Sequence, residues 1–250
     1  MIDREDYKEW IANNARNHSS RIILALDLEG ESAPILFQVA ESLVNKTAQY
    51  LCGVRFGRQT VLNLGPRMTR RLTRTFHRIN LPCIIDDKLS DIGTTNAAIA
   101  RSYYGMGFDA IIVNPSSGWE AGLEPVYELS HANGHGVILL VYMSHPGAKD
   151  TFGQRIVKDG RVKFQYEKYA RRAVEWRSDG AVIGATRPGI IRKLNPVLDG
   201  VPIYSPGVGA QGGSVEVARR AGADYFIIGR SIMHAKDPLG AARKFAKQSA

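Results

Sequence analysis

A chain of 250 residues, 44% hydrophobic and 23% charged, suits one large α/β domain, in which about three quarters of the unfolded surface can be buried. No apolar run approaches the roughly 18 residues that span a bilayer. The N-terminus, with Asp3, Glu5, Asp6 and Glu9, has neither the basic nor the apolar part of an export signal, so no membrane attachment and a cytoplasmic location are expected. The net charge of +9 and a pI near 9.6 suit an anionic partner, but sign alone does not choose between nucleic acid, a membrane surface and a phosphorylated metabolite.

Residues 1–19 read as a short N-terminal helical extension, with Tyr7, Trp10 and Ile11 as an apolar stripe that packs on the outside of the domain. From residue 20 to 250, short runs rich in β-branched residues alternate with longer amphipathic segments. The runs are 22–27, 52–57, 83–88, 110–114, 137–143, 181–185, 202–205 and 225–229. Eight strands, each followed by a helix-length segment, predict an α/β fold of the (β/α)8 TIM barrel type rather than an open sheet. Near-continuous apolar strands are expected where both faces of a parallel sheet are covered.

Polar residues punctuate the strand ends in order. Asp27, Arg55, Asp86 with Lys88, Asn114, Ser144 with His145, Ser205 and Arg230 all fall at or just past the C-terminal ends of their strands, the catalytic face of such barrels. The densest cluster is Asp86-Asp87-Lys88-Leu89-Ser90-Asp91. Strand alternation turns Asp86 and Lys88 to one side and Asp87 to the other, setting a carboxylate beside an ammonium. Cys52 and Cys83 lie in apolar runs without metal-ligand spacing and read as buried free thiols, with a disulfide conceivable if their strands are neighbours.

Three other features have plainer readings. Arg67, Arg70, Arg71, Arg74 and Arg78 share a helix face and read as a solvated outer surface, because no aromatic platform or nucleic-acid motif accompanies them. His131 and His135 stand at i, i+4, a spacing that can hold a metal, but they precede the fifth strand on the opposite face and read as helix-end residues. Arg155 to Phe164 alternates apolar and basic residues around Asp159-Gly160, the pattern of a tight hairpin, taken as an edge decoration rather than a lid.

Ser205 to Gly213 follows the seventh strand and Gly229-Arg230-Ser231 ends the eighth, where barrels commonly hold phosphate on backbone N–H groups. Gly207 to Gly212 also fits G-x-G-x-x-G. No acid ends a strand about 20 residues later, so a dinucleotide site is not expected.

Together, Asp86-Asp87-Lys88-Leu89-Ser90-Asp91-Ile92, Ser144-His145-Pro146-Gly147-Ala148, Ser205 to Gly213 and Gly229-Arg230-Ser231-Ile232 resemble the orotidine 5′-monophosphate decarboxylase family in its archaeal-type form, over residues 20 to 240. The resemblance implies decarboxylation of orotidine 5′-monophosphate to uridine 5′-monophosphate (UMP), the last step of UMP synthesis. It further implies no cofactor, no metal, no nucleic-acid partner, and a homodimer with shared sites. It casts Lys88 as the proton donor to C6, Asp86 beside the departing carboxylate, and Asp91 as supplied by the partner subunit with Ile92 and Thr95 beside it. Asp27 and Arg55 would hold ribose hydroxyls and Ser144 would meet the base. Pro206, Gly207, Val208, Gly209, Gln211, Gly229 and Arg230 would take the phosphate end.

Three positions depart from the family pattern: Arg55 stands for a lysine, Gly93 for a common proline, and Asp87 for a common apolar residue. The rival readings are a sugar-phosphate decarboxylase or aldolase of the same superfamily, and a non-catalytic UMP-binding protein. The first ordinarily holds Mg²⁺ with an acid at the end of strand two, where Arg55-Phe56-Gly57-Arg58 is hostile to a cation.

Overall fold

The computed structural model describes residues 6–158 and 160–250; Asp3, Glu5 and Asp159 lie outside them. Eight parallel strands close into a barrel: β1 (Ile22–Leu26), β2 (Gly53–Gly57), β3 (Cys83–Leu89), β4 (Ala110–Val113), β5 (Gly136–Tyr142), β8 (Gly180–Ile183), β9 (Ile203–Pro206) and β10 (Tyr225–Ile228). The sequence of neighbours is β1-β10-β9-β8-β5-β4-β3-β2, with β2 returning to β1. Every residue of β1, β4, β5, β8 and β10 is buried, as expected of strands lined by side chains within and covered by helices without. The remaining two strands, β6 (Arg155–Lys158) and β7 (Arg161–Phe164), form the antiparallel hairpin inserted after β5.

The outer helices are α2 (Ala33–Thr47), α3 (Arg58–Arg78), α4 (Gly93–Gly105), α5 (Glu124–His131), α6 (Gln165–Glu175), α7 (Pro188–Leu194), α8 (Val215–Arg220), α9 (Arg230–Met233) and α10 (Pro238–Ser249). Helix α3 is broken at Gly65 (φ 70°, ψ 165°), just before Pro66. Proline disfavours the helical region for the residue preceding it, and glycine accepts the positive φ. The arginine-rich part is therefore a separate segment. Among the described residues, no helix is long and apolar enough to cross a membrane.

The N-terminal helix α1 (Tyr7–Asn17) packs across the N-terminal mouth of the barrel. Tyr7 and Ile11 are each 1% exposed and belong to the common core. The Tyr7 backbone N–H donates to Gly134 O at 3.2 Å and its hydroxyl meets Tyr204 Oη at 3.1 Å, while the Trp10 indole donates to Asn80 Oδ1 at 2.8 Å. An amphipathic stripe shows that one face is buried, not against what.

The same mouth is laced by a repeated device. Asp109, Asp179 and Asp224 precede β4, β8 and β10, and each accepts from the backbone N–H near the start of the adjoining strand: Cys83, Val137 and Ile203, at 2.7, 2.8 and 2.8 Å. His77 and His131 reach two of these acids, Asp109 at 2.9 Å and Asp179 at 3.0 Å. His135 lies past the end of α5 and stacks on Tyr104 instead, with ring centroids 3.9 Å apart. The i, i+4 pair thus separates into two structural roles. Cys52 and Cys83 are buried and not joined by a disulfide, although β2 and β3 adjoin, because Cys83 lies opposite Val54.

The hydrogen bond to Asp179 raises the His131 pKa above its ordinary 6.5, outweighing desolvation. A raised folded-state pKa contributes stability that is full below 6.5 and is lost as pH rises through the folded value. Thermal unfolding of the wild type and His131→Gln should therefore differ most below that pH and converge above it. A constant difference would contradict the ion pair.

Candidate active site

A cavity of about 350 Å³ opens at the C-terminal ends of the strands. Its floor is the apolar ends of β4, β5, β8 and β10, through Ile112, Leu140, Val182 and Ile227, with Ala25 and Met143 higher on the wall. One side carries Asp27, Arg55, Asp86 and Lys88. The other carries Ser144 and His145 from the loop after β5, Pro206 at the end of β9 with Gly207, Val208, Ala210 and Gln211 after it, and Gly229 and Arg230 after β10.

The charged side is one connected network. Lys88 Nζ lies 2.6 Å from Asp86 Oδ1. Arg55 reaches Asp86 Oδ2 through both Nε, at 3.0 Å, and Nη2, and reaches Asp27 Oδ1 through Nη1 at 2.5 Å. Gln59 donates to the same Asp27 oxygen at 2.9 Å. Burial works to raise the Asp86 pKa, but Arg55 and Lys88 outweigh it and hold the carboxyl below its ordinary value. Burial likewise opposes the Arg55 charge, and Asp86 and Asp27 more than restore it. Asp86 is thus a carboxylate at every ordinary working pH, with one cation on each side.

The backbone at this point is irregular. Asp86 pairs with Ile112 and Leu89 with Val113, so β3 fits Asp87 and Lys88 into a bulge that β4 does not match. Lys88 has φ 53°, a left-handed conformation costing about 1 kcal/mol or more for a residue with a Cβ. The strain aims the lysine into the cavity beside Asp86. Asp87 turns the other way, as the alternation predicted, and its placement accounts for its departure from the family pattern: Arg58 Nε binds its Oδ1 at 2.5 Å and Tyr103 Oη donates to the same atom at 3.1 Å.

Beyond the bulge, Asn96 staples the turn into α4, accepting from Asp91 N at 2.9 Å and donating to Asp91 O and Gly122 O at 2.6 and 3.0 Å. Gly93 follows. A Cβ there would come within 3.0 Å of the Ala121 backbone and 3.1 Å of Pro125, so the proline of the family pattern would fit only if these neighbours shifted by a few tenths of an ångström. Asp91, Ile92 and Thr95 do not line the cavity of their own chain, and Ile92 is 65% exposed.

The glycine-rich loop after β9 closes on itself. Gly213 N donates to Gly207 O at 3.0 Å and Gly209 N to Gly213 O at 2.8 Å. Gly207 has φ 92°, and a Cβ on it would come within 2.8 Å of Ser144 Cβ, so the loop rests against the loop after β5 only because that atom is absent. Gly209 is in the loop but not on the cavity surface, where Ala210 takes its place; the Ser231 hydroxyl accepts from Ala210 N at 3.1 Å.

Of the residues singled out from sequence, the structure gathers Asp27, Arg55, Asp86, Lys88, Ser144, Pro206, Gly207, Val208, Gln211, Gly229 and Arg230 around one cavity. Two strand-end residues do other work: Asn114 accepts from Ser116 N at 3.1 Å, and buried Ser205 donates to Ile183 O at 2.9 Å. Sequence reasoning missed the apolar floor, because uniformly apolar strands do not reveal which residues face inward. His145, a strand-end residue in the sequence, also lines the cavity. None of the described hairpin residues lines the cavity.

Residues 20–245 match the sequence model described as Orotidine 5′-phosphate decarboxylase / HUMPS family. The chain is 36% identical over 224 residues to an orotidine 5′-phosphate decarboxylase of Pyrococcus abyssi, covering 89% of this chain and 96% of that one. It is 35% identical over 230 residues to one of Thermococcus kodakarensis, covering 92% and 96%. The structure of the Methanocaldococcus jannaschii enzyme, complexed with the inhibitor BMP, superposes with a TM-score of 0.77 at 26% identity, over 92% of this chain and 98% of that one. With this match over nearly its whole length, and with the barrel and its charged strand end in place, the chain belongs to the orotidine 5′-phosphate decarboxylase / HUMPS family.

Proposed function

We infer that the chain is a carboxy-lyase that converts orotidine 5′-monophosphate to UMP and carbon dioxide, the reaction for which its relatives are named. The observation that carries the reading is the Asp86–Lys88 pair, 2.6 Å apart at the end of β3, facing a glycine-rich loop and Arg230 across one cavity. A nucleotide laid between them has its phosphate at the loop and its pyrimidine over the charged strand end.

Loss of carbon dioxide from C6 leaves an electron pair in the ring plane, poorly placed for delocalisation. A fixed ammonium both stabilises that charge and donates the proton that ends the step, and Lys88 is placed for both tasks. Asp86 holds the lysine and stands next to the site of the departing carboxylate. Arg55 stands where the family pattern has lysine. Its planar fork ties Asp86 to Asp27 and does not deprotonate, so the proton donor in this network is Lys88. Asp27 faces the ribose, Ser144 the base, and the backbone of the loop after β9 with Gln211, Gly229 and Arg230 the phosphate. Phosphate contacts far from C6 can be spent on positioning the reacting end.

The working unit in this reading is a homodimer. Asp91 sits on a stapled turn outside its own cavity with exposed Ile92 beside it, which supports its delivery to the site of a second subunit. The family name also covers the sugar-phosphate branch, but the residue of β2 that lines the cavity is Arg55, paired to two acids, where a Mg²⁺ ligand would be needed.

Incubating purified protein with orotidine 5′-monophosphate and separating the products should give UMP and carbon dioxide in equal amounts. Substrate recovered unchanged at high enzyme concentration would sink the reading.

A further inference from the structure

The second segment of α3, residues 66–78, carries Arg67, Arg70, Arg71, Arg74 and Arg78 and no acid. All five line one concavity of about 230 Å³ on the outer wall of the barrel, with Thr75 and, from α2, Glu41. Residues three and four apart on a helix are neighbours, so Arg67, Arg70, Arg71, Arg74 and Arg78 form a ladder of like-charged pairs, each unfavourable to the helix. No ion pair among the described residues includes any of the five. Among the described residues Glu41 is the one acid in the lining, which sets five positive charges against one negative. A merely solvated face is ordinarily mixed in sign; this one concentrates a single sign in a hollow.

Two of the guanidiniums are already oriented. Arg71 lies over the Phe37 ring of α2, 4.7 Å from its centroid, and Arg70 Nε donates to Gly105 O at the end of α4 at 2.9 Å. They fix opposite flanks of the hollow while leaving their terminal N–H groups for a ligand. Guanidinium forks match phosphate oxygens two at a time. Among the described residues the lining holds no aromatic face and no amide to stack on or read a base, so single-stranded nucleic acid is disfavoured. The hollow is also smaller than the nucleotide-sized cavity at the strand ends.

We propose that this hollow on α3 binds a linear polyphosphate chain, either free or as the tail of a nucleoside triphosphate, recognised by Arg67, Arg70, Arg71, Arg74 and Arg78. The site is separate from the catalytic cavity, with which it shares no residue, and it does not depend on which reaction that cavity performs.

The test is calorimetric titration of the full chain with sodium tripolyphosphate at fixed ionic strength, comparing wild type with Arg74→Gln/Arg78→Gln. Both substitutions are on an exposed face, and circular dichroism and thermal unfolding check that the variant folds; Arg67→Gln serves as a second variant if it does not. Tripolyphosphate should bind the wild type, and the double variant should lose about tenfold or more in affinity, as expected for removing charge-assisted contacts. Titration with ATP and UTP separates the two sources: affinity equal to tripolyphosphate points to the free chain, tighter binding to a nucleotide tail. Three results would overturn the proposal: no tripolyphosphate binding, equal affinity in a folded variant, or binding of a short RNA that tripolyphosphate does not displace.

Discussion

Lys88→Ala lowers the rate of orotidine 5′-monophosphate decarboxylation by about four orders of magnitude or more, while UMP still binds. The estimate combines a general acid, typically worth about 10²–10⁴, with a fixed charge beside a developing anion, worth about 10²–10³. The substitution leaves the rest of the cavity intact, since Asp86 keeps Arg55 and the phosphate side is formed by loops after β9 and β10. Alanine keeps the Cβ and with it the same cost at φ 53°, so the backbone of β3 is neither relieved nor further strained and folding is not the expected casualty. Single-turnover kinetics together with a UMP titration separate the two effects. Retained turnover would move the proton donor elsewhere, and joint loss of turnover and UMP binding would make Lys88 a structural residue.

Mixing two inactive variants restores activity if the site is shared. Asp91→Ala removes the acid offered to the neighbour and Lys88→Ala removes the donor at home. A mixed dimer then holds one site with Lys88 from one subunit and Asp91 from the other, and one site with neither. Random reassembly of equal amounts makes about half the dimers mixed, so about a quarter of wild-type activity should return. Each variant alone should stay near background. No recovery after verified subunit exchange would place Asp91 in its own subunit's chemistry or outside the chemistry altogether.

Much of this was legible in the sequence, for identifiable reasons. The eight barrel strands stood out because parallel strands covered on both faces are continuous β-branched runs, and the acid-lysine cluster stood out because such charge is costly beside them. Strand alternation separated Asp87 from Asp86 and Lys88 correctly. It could not supply the partners of Asp87, since Arg58 and Tyr103 are 29 and 16 residues away and meet it only in the closed barrel.

Other failures share that origin. The reading of both histidines as helix-end residues holds for His131, the last residue of α5, and not for His135, which lies four residues further on and is buried. The stripe on α1 identified Tyr7 and Ile11 as buried residues but not the N-terminal mouth as their destination. Arg55, an unexplained departure in the sequence, becomes the link between Asp27 and Asp86. That link is chemically conservative in charge and not in shape. A guanidinium engages both acids at once, where an ammonium would be a mobile point charge.

The central claim is that side chains alone, with Lys88 as the acid, run the decarboxylation. Its most direct test is steady-state turnover of orotidine 5′-monophosphate by protein stripped with chelator, followed by loss of the substrate's absorbance. The account predicts that kcat/KM is unchanged by stripping and by added Mg²⁺. Loss of activity on stripping with recovery on adding Mg²⁺ would contradict it.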